Sequence, residues 1–141
     1  MSEAPIGPAA PKLRPRPMSP YVWIWRWHIT MAVSILHRVT GVALYGAALI
    51  LAGWALSLAA GPDAYDQFRL ILGSPLGKLA LIGITFSLFY HLGNGVRHLV
   101  WDFGSGFQPK TADMTAWAVI AFAAVATIGA WVAAAMMGAM A

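Results

Sequence analysis

Two histidines, His91 and His98, stand in the run YHLGNGVRHLVWD (residues 90–102), and a second polar cluster, SILHR (residues 34–38), opens an earlier apolar stretch. A neutral imidazole in hydrocarbon is costly unless it is paired or bound to a metal, so an intramembrane histidine is by default a sign of function. Residues three, four and seven apart share one face of a helix. Ser34, His37 and Arg38 therefore project together, as do His91, Gly95 and His98, with Asp102 one turn further on. Two such clusters on neighbouring helices suit a polar or redox-active ligand held inside a bilayer.

His91 and His98 are seven residues apart, about 10 Å along a helix axis. Two rings so arranged on one helix cannot grip a flat macrocycle from opposite sides. If a haem is held by two imidazoles, this chain supplies one and another chain the other. His91 also lies about 9 Å inside Arg97, a depth that suits a haem iron. His98, His37 and Arg38 would be nearer the interface, where haem propionates need cationic or donor partners. Gly93 and Gly95 remove side chains beside His91 and would let a large ring approach. The structural reading of the same residues has His91 donating to a carbonyl of a neighbouring helix, the glycines easing packing, Arg38 setting topology and Asp102 solvated. In the functional reading of the first cluster, Ser34 donates to a quinone carbonyl and Arg38 stabilises the negative charge that develops on it.

The elements that must carry these residues follow from composition. The chain has 141 residues, 60% hydrophobic and 10% charged, with no cysteine; soluble domains carry about 25% charged residues. Three stretches are uncharged, residues 39–58, 79–96 and 114–141, and roughly 20 apolar residues suffice for a helix to cross a bilayer. The pattern predicts an all-α integral membrane protein with three spans, at about 30–59, 76–102 and 113–140. These form an anchor domain over residues 21–141, behind an extended segment, 1–20, that holds six of the nine prolines. Trp23, Trp25 and Trp27 precede the first span and suit the headgroup level. Gly61-Pro62 ends that span, and Ser74-Pro75 starts the second as N-cap and first helical residue. The alanine- and glycine-rich third span is expected to be a packing surface.

Lys12, Arg14, Arg16, Arg26 and Arg38 precede or open the first span, and Arg97 and Lys110 flank the link between the second and third. The positive-inside rule then puts the N-terminus in the cytoplasm or the mitochondrial matrix. Charges that line one membrane face are no basic stripe, so nucleic acid is not an expected partner. Without cysteine there is no Cys-ligated iron–sulfur cluster, and no dinucleotide fingerprint follows a strand. Hydride and iron–sulfur chemistry must come from other subunits.

At these clusters the sequence resembles the cytochrome b556 subunit family of succinate dehydrogenase, respiratory complex II. Family members carry R-P-x-S-P-H, matched by Arg16, Pro17, Ser19 and Pro20 with Tyr21 in place of histidine. They carry S-I-x-H-R-x-T/S-G, matched from Ser34 to Gly41, and H-x-x-x-G-x-R-H-L/M-x-x-D, matched at His91, Gly95, Arg97, His98, Leu99 and Asp102. The resemblance implies half of a heterodimeric helix bundle that binds haem b, with His91 as axial ligand and the opposite ligand on a second small anchor subunit. It implies His37, Arg38 and His98 near the propionates, Ser34 and Arg38 in a ubiquinone pocket, and Asp102 at the cytoplasmic mouth, where it could take up protons. It implies a flavoprotein and an iron–sulfur subunit docked on the cytoplasmic face of a bacterial inner membrane, or alternatively on the matrix face of a mitochondrial one. The other readings are a fumarate reductase anchor working with menaquinone, a non-redox scaffold that tethers a soluble complex, and a small proton-coupled carrier. Three spans without broken helices or inverted repeats disfavour the carrier.

Overall fold

The computed structural model describes residues 16–138. The start of the proline-rich segment (1–15), with Lys12 and Arg14, and the last three residues of the chain lie outside the described residues. Five helices follow one another: a single turn, α1 (Tyr21–Ile24), then α2 (Ile29–Ala60), α3 (Pro62–Gly73), α4 (Pro75–Asp102) and α5 (Pro109–Met136). Among the described residues there is no strand. Helices α2, α4 and α5 are each long and apolar enough to cross a membrane. At 32, 28 and 28 residues they extend about 42–48 Å, more than the roughly 30 Å of hydrocarbon. Their ends therefore reach the headgroups, where charged residues can stay wet.

Local chemistry sets the boundaries. Gly61, at φ +110°, ends α2 in a conformation that L side chains avoid, and Pro62 opens α3 in its first turn. Ser74 caps α4: its hydroxyl accepts from the Gly77 amide at 3.1 Å, with Pro75 in the first turn. A side chain at Gly77 would run into the carbonyl oxygens of Ile71 and Leu72, so this tight corner depends on that glycine. Gly104 and Gly106, both at positive φ, lead the chain out of α4. Helix α5 begins at Pro109, so Asp113 lies one turn inside it rather than ahead of it. Proline supplies the start: its missing amide is one that a helix N-terminus leaves unpaired anyway.

The three long helices run antiparallel in succession, with α2 against α4, α4 against α5, and α2 also touching α5. Little is buried: Val33, Tyr90, Ala116, Val119 and Ala123 form the core, while large side chains such as Leu49, Leu51 and Val125 are more than 60% exposed. In lipid an outward leucine costs nothing, and close packing of small residues drives association instead. Helix α5 buries Ala116, Val119, Ala123 and Thr127, spaced three and four apart on one face. Gly93 of α4 meets that face at Phe122 and Val119. Tyr90, fully buried, donates its hydroxyl to the Val33 carbonyl at 2.8 Å. Interhelical hydrogen bonds in membranes stabilise by about 0.6 kcal/mol on average, so this bond fixes the register of α4 against α2 more than it adds strength.

Candidate functional site

Antiparallel packing brings the start of α2, the end of α4 and the start of α5 to one end of the bundle. There His37 stacks on His91, with ring centroids 3.9 Å apart and planes 18° from parallel. His98 joins them 5.2 Å from His37. Sequence spacing shows which residues share a helix face, and the fold adds that the two faces meet. All three rings are half-buried.

The hydrogen bonds of His91 fix its proton. Its Nδ1 lies 3.2 Å from the His37 carbonyl and 3.3 Å from the Thr40 hydroxyl. A carbonyl can only accept, and the Thr40 hydroxyl already donates to that same carbonyl at 2.9 Å. Nδ1 therefore carries the hydrogen, and the lone pair of the neutral ring sits on Nε2. Among the described residues Nε2 has no hydrogen-bond partner. A metal-ligating histidine commonly donates its other N–H to a carbonyl in just this way, which orients the ring and raises its basicity. The carbonyl bond expected of a structural histidine is thus present, on the nitrogen that leaves the other one available for iron.

Gly41 lets the ring lie this close. A Cβ there would stand 3.2 Å from His91 Cε1. This is a different role from the one expected of Gly93 and Gly95, which concerned room for a larger ring beside His91. Gly93 packs on Phe122 of α5, Gly95 faces open space, and the glycine beside the imidazole is on the other helix. Helix contacts within one chain segment can be read from spacing, but this one crosses from α2 to α4.

Ser34 is half-buried and Arg38 exposed, and among the described residues neither side chain has a hydrogen-bond or ion-pair partner. Both lie on α2 within one turn of His37, which leaves their donors free for a ligand. Asp102 ends α4, exposed and without an ion pair to His98 or Arg38. His28 sits 3.5 Å from Asp113 of α5 and bonds the Thr30 hydroxyl through Nδ1. That pair ties the tryptophan-rich lead segment to the bundle. The described residues hold no group of three or more His, Cys, Asp or Glu side chains arranged to bind a bare metal ion.

Arg97 differs most from its expected place. Read as a charge at the membrane boundary, it is only 6% exposed. Its Nε donates to Thr115 Oγ1 at 3.0 Å, Nη2 to the Ala112 carbonyl at 3.0 Å and Nη1 to Asn94 Oδ1 at 3.3 Å. Its guanidinium carbon lies 4.1 Å from the Trp101 ring centroid. Burying a cation costs several kcal/mol unless its donors are satisfied, and α5 supplies most of the acceptors. Asn94, fully buried, donates in turn to His98 Nε2 at 3.2 Å. Thr40 and Gly41 stand in the matched motif without a role assigned to them, and Asn94 and Thr115 were not singled out from sequence. Asn94 was the readable one, a polar side chain deep in a span, three residues from His91 and four from His98.

Residues 12–130 match the family described as the succinate dehydrogenase/fumarate reductase transmembrane subunit. The chain belongs to this family. Every residue of the site falls within the match. The succinate dehydrogenase cytochrome b556 subunit of Rickettsia felis is 42% identical over 117 residues, covering 83% of this chain and 91% of the relative. That of Rickettsia bellii is 43% identical over 119 residues, with the same coverage. The mitochondrial succinate dehydrogenase cytochrome b560 subunit of Sus scrofa is 36% identical over 116 residues, 81% of this chain and 69% of the relative. Bacterial and mitochondrial relatives thus both match more than four-fifths of this chain.

Proposed function

We propose that this chain is the cytochrome b anchor of a succinate:ubiquinone oxidoreductase. It would supply His91 as one axial ligand of a haem b shared with a second small anchor subunit, and Ser34 and Arg38 to a ubiquinone pocket. The observation that carries this reading is the tautomer of His91: Nδ1–H given to the His37 carbonyl, Nε2 left with a free lone pair. The residues fit the group, because a low-cost approach beside Gly41, a neutral imidazole and two further imidazoles meet at one end of the bundle. Haem bound there would supply one-electron storage beside the quinone.

The chain's own residues then do the following. Thr40 and the His37 carbonyl hold the His91 ring and keep its proton on Nδ1. Ser34 donates a hydrogen bond to a quinone carbonyl, and Arg38 offsets negative charge that develops as two electrons and two protons are taken up. Arg38, His37 and His98 are the donors for the haem propionates, and exposed Asp102 can pass protons at the mouth. Flavin and iron–sulfur chemistry belong to partner subunits on the cytoplasmic side, since this chain has neither a dinucleotide fingerprint nor a cysteine. That side is the end bearing Arg26, Arg38 and Lys110, by the positive-inside rule. The relatives are named for succinate dehydrogenase, which favours succinate oxidation over the reverse reaction.

The test is a dithionite-reduced minus oxidised spectrum of the purified membrane complex. A b-type α-band supports the reading, and its absence makes the chain a non-redox scaffold. Gly41→Val adds a further prediction. With a Cβ already 3.2 Å from His91, the branched side chain must displace the ring. The α-band per flavin should fall several-fold while the flavin content of the complex is kept. A band of full intensity would mean that the close approach at Gly41 does not matter for the site.

A further inference from the structure

The buried chain of donors from α5 to His98 has a polarity that can be deduced link by link. A guanidinium has five donors and no acceptor, so the Asn94 atom 3.3 Å from Arg97 Nη1 must be its carbonyl oxygen. The amide cannot then be flipped, and the group facing His98 is the NH2. An NH2 only donates, so His98 Nε2, at 3.2 Å, must be the bare nitrogen. The proton of the neutral ring is forced onto Nδ1. Arg97 cannot swing away, because the Ala112 carbonyl, the Thr115 hydroxyl and the Trp101 face hold it on the other side.

We propose that Arg97 and Asn94 are positioning residues that lock His98 in its Nδ1–H form, so that this imidazole offers the site a donor and no acceptor. The first turns of α5 thereby dictate the hydrogen-bonding character of a ring on α4. Among the described residues Nδ1 of His98 has no acceptor of its own. The ligand group it selects is an oxygen acceptor, a carboxylate above all, and a group with only N–H donors is rejected. Identifying that carboxylate as belonging to haem rests on the function proposed above; the tautomer itself does not.

The test is 15N NMR of the intact complex with only this chain's histidines labelled, His98→Gln serving to assign the His98 signals. The proposal expects a protonated Nδ1 and a bare Nε2 in the wild type. Asn94→Leu removes the donor and should release the ring, with loss of the pure Nδ1–H signature. Asn94→Asp keeps the bond from Arg97 but turns the link into an acceptor, so the proton should appear on Nε2; this nearly isosteric variant serves if the leucine variant does not assemble. A residue with a merely structural role would not move a ring proton. A wild-type ring with hydrogen on Nε2, or a bare Nε2 in Asn94→Asp, overturns the proposal. The reduced-minus-oxidised spectrum of the same samples separates the two failures: a wild-type complex without a b-type band removes the haem reading, and the NMR result still decides the tautomer lock.

Discussion

His91→Ala is expected to remove the low-spin, two-imidazole b-type signature from the reduced complex, while succinate oxidation with a soluble dye is kept. No other ring of this chain can take its place without rearrangement. His98 is two turns along α4, its backbone about 10 Å further along the axis, and its Nε2 is engaged by Asn94. His37 is the one imidazole at hand, stacked 3.9 Å from His91, with a buried Nδ1 that has no partner. The double variant His37→Ala/His91→Ala closes that substitution route and should lose the α-band entirely. An unaltered band in the double variant would mean that this chain contributes no axial nitrogen. The lost side chain leaves little strain, since His91 is half-buried and its partners retain other bonds: the His37 carbonyl still accepts from Thr40 at 2.9 Å.

Arg38→Ala is expected to slow ubiquinone reduction about 100-fold, the usual cost of removing one donor aimed at developing negative charge. Ser34→Ala should cost less, about tenfold, as befits one hydrogen bond to a group that becomes charged. In both variants the rate of succinate oxidation with a dye should be unchanged, and the complex should assemble normally. The structure explains why the two rates can separate. Neither side chain has a hydrogen-bond or ion-pair partner among the described residues, so no polar contact of the fold is lost with them. Arg38→Lys would restore the charge but not the planar fork of donors, and should recover part of the rate. Wild-type quinone turnover in the alanine variants would remove both residues from the pocket.

Much of this architecture is legible in the chain because lipid imposes simple rules. Uncharged runs long enough to span, a serine-proline start at Ser74 and a glycine stop at Gly61 each act locally, and the helices follow them. The pairing of His37 with His91 is not legible, because spacing along one helix says nothing about which face of another helix it meets. The role of Gly41 escaped for the same reason, since its contact with the imidazole crosses from α2 to α4. Arg97 misled for a different one. A basic residue near a span end ordinarily marks the headgroup boundary, but here Ala112 and Thr115 of α5 supply acceptors, so the cation can be buried. That exchange becomes visible only when the two helices are packed.

The most direct test is a structure of the assembled membrane complex, solved with its partner subunits, at a resolution that shows the His91 ring and its surroundings. A porphyrin iron bonded to His91 Nε2, with Nδ1 still directed at the His37 carbonyl and an imidazole of a second subunit on the opposite face, is the expected result. A His91 ring enclosed only by protein and lipid atoms would contradict the account.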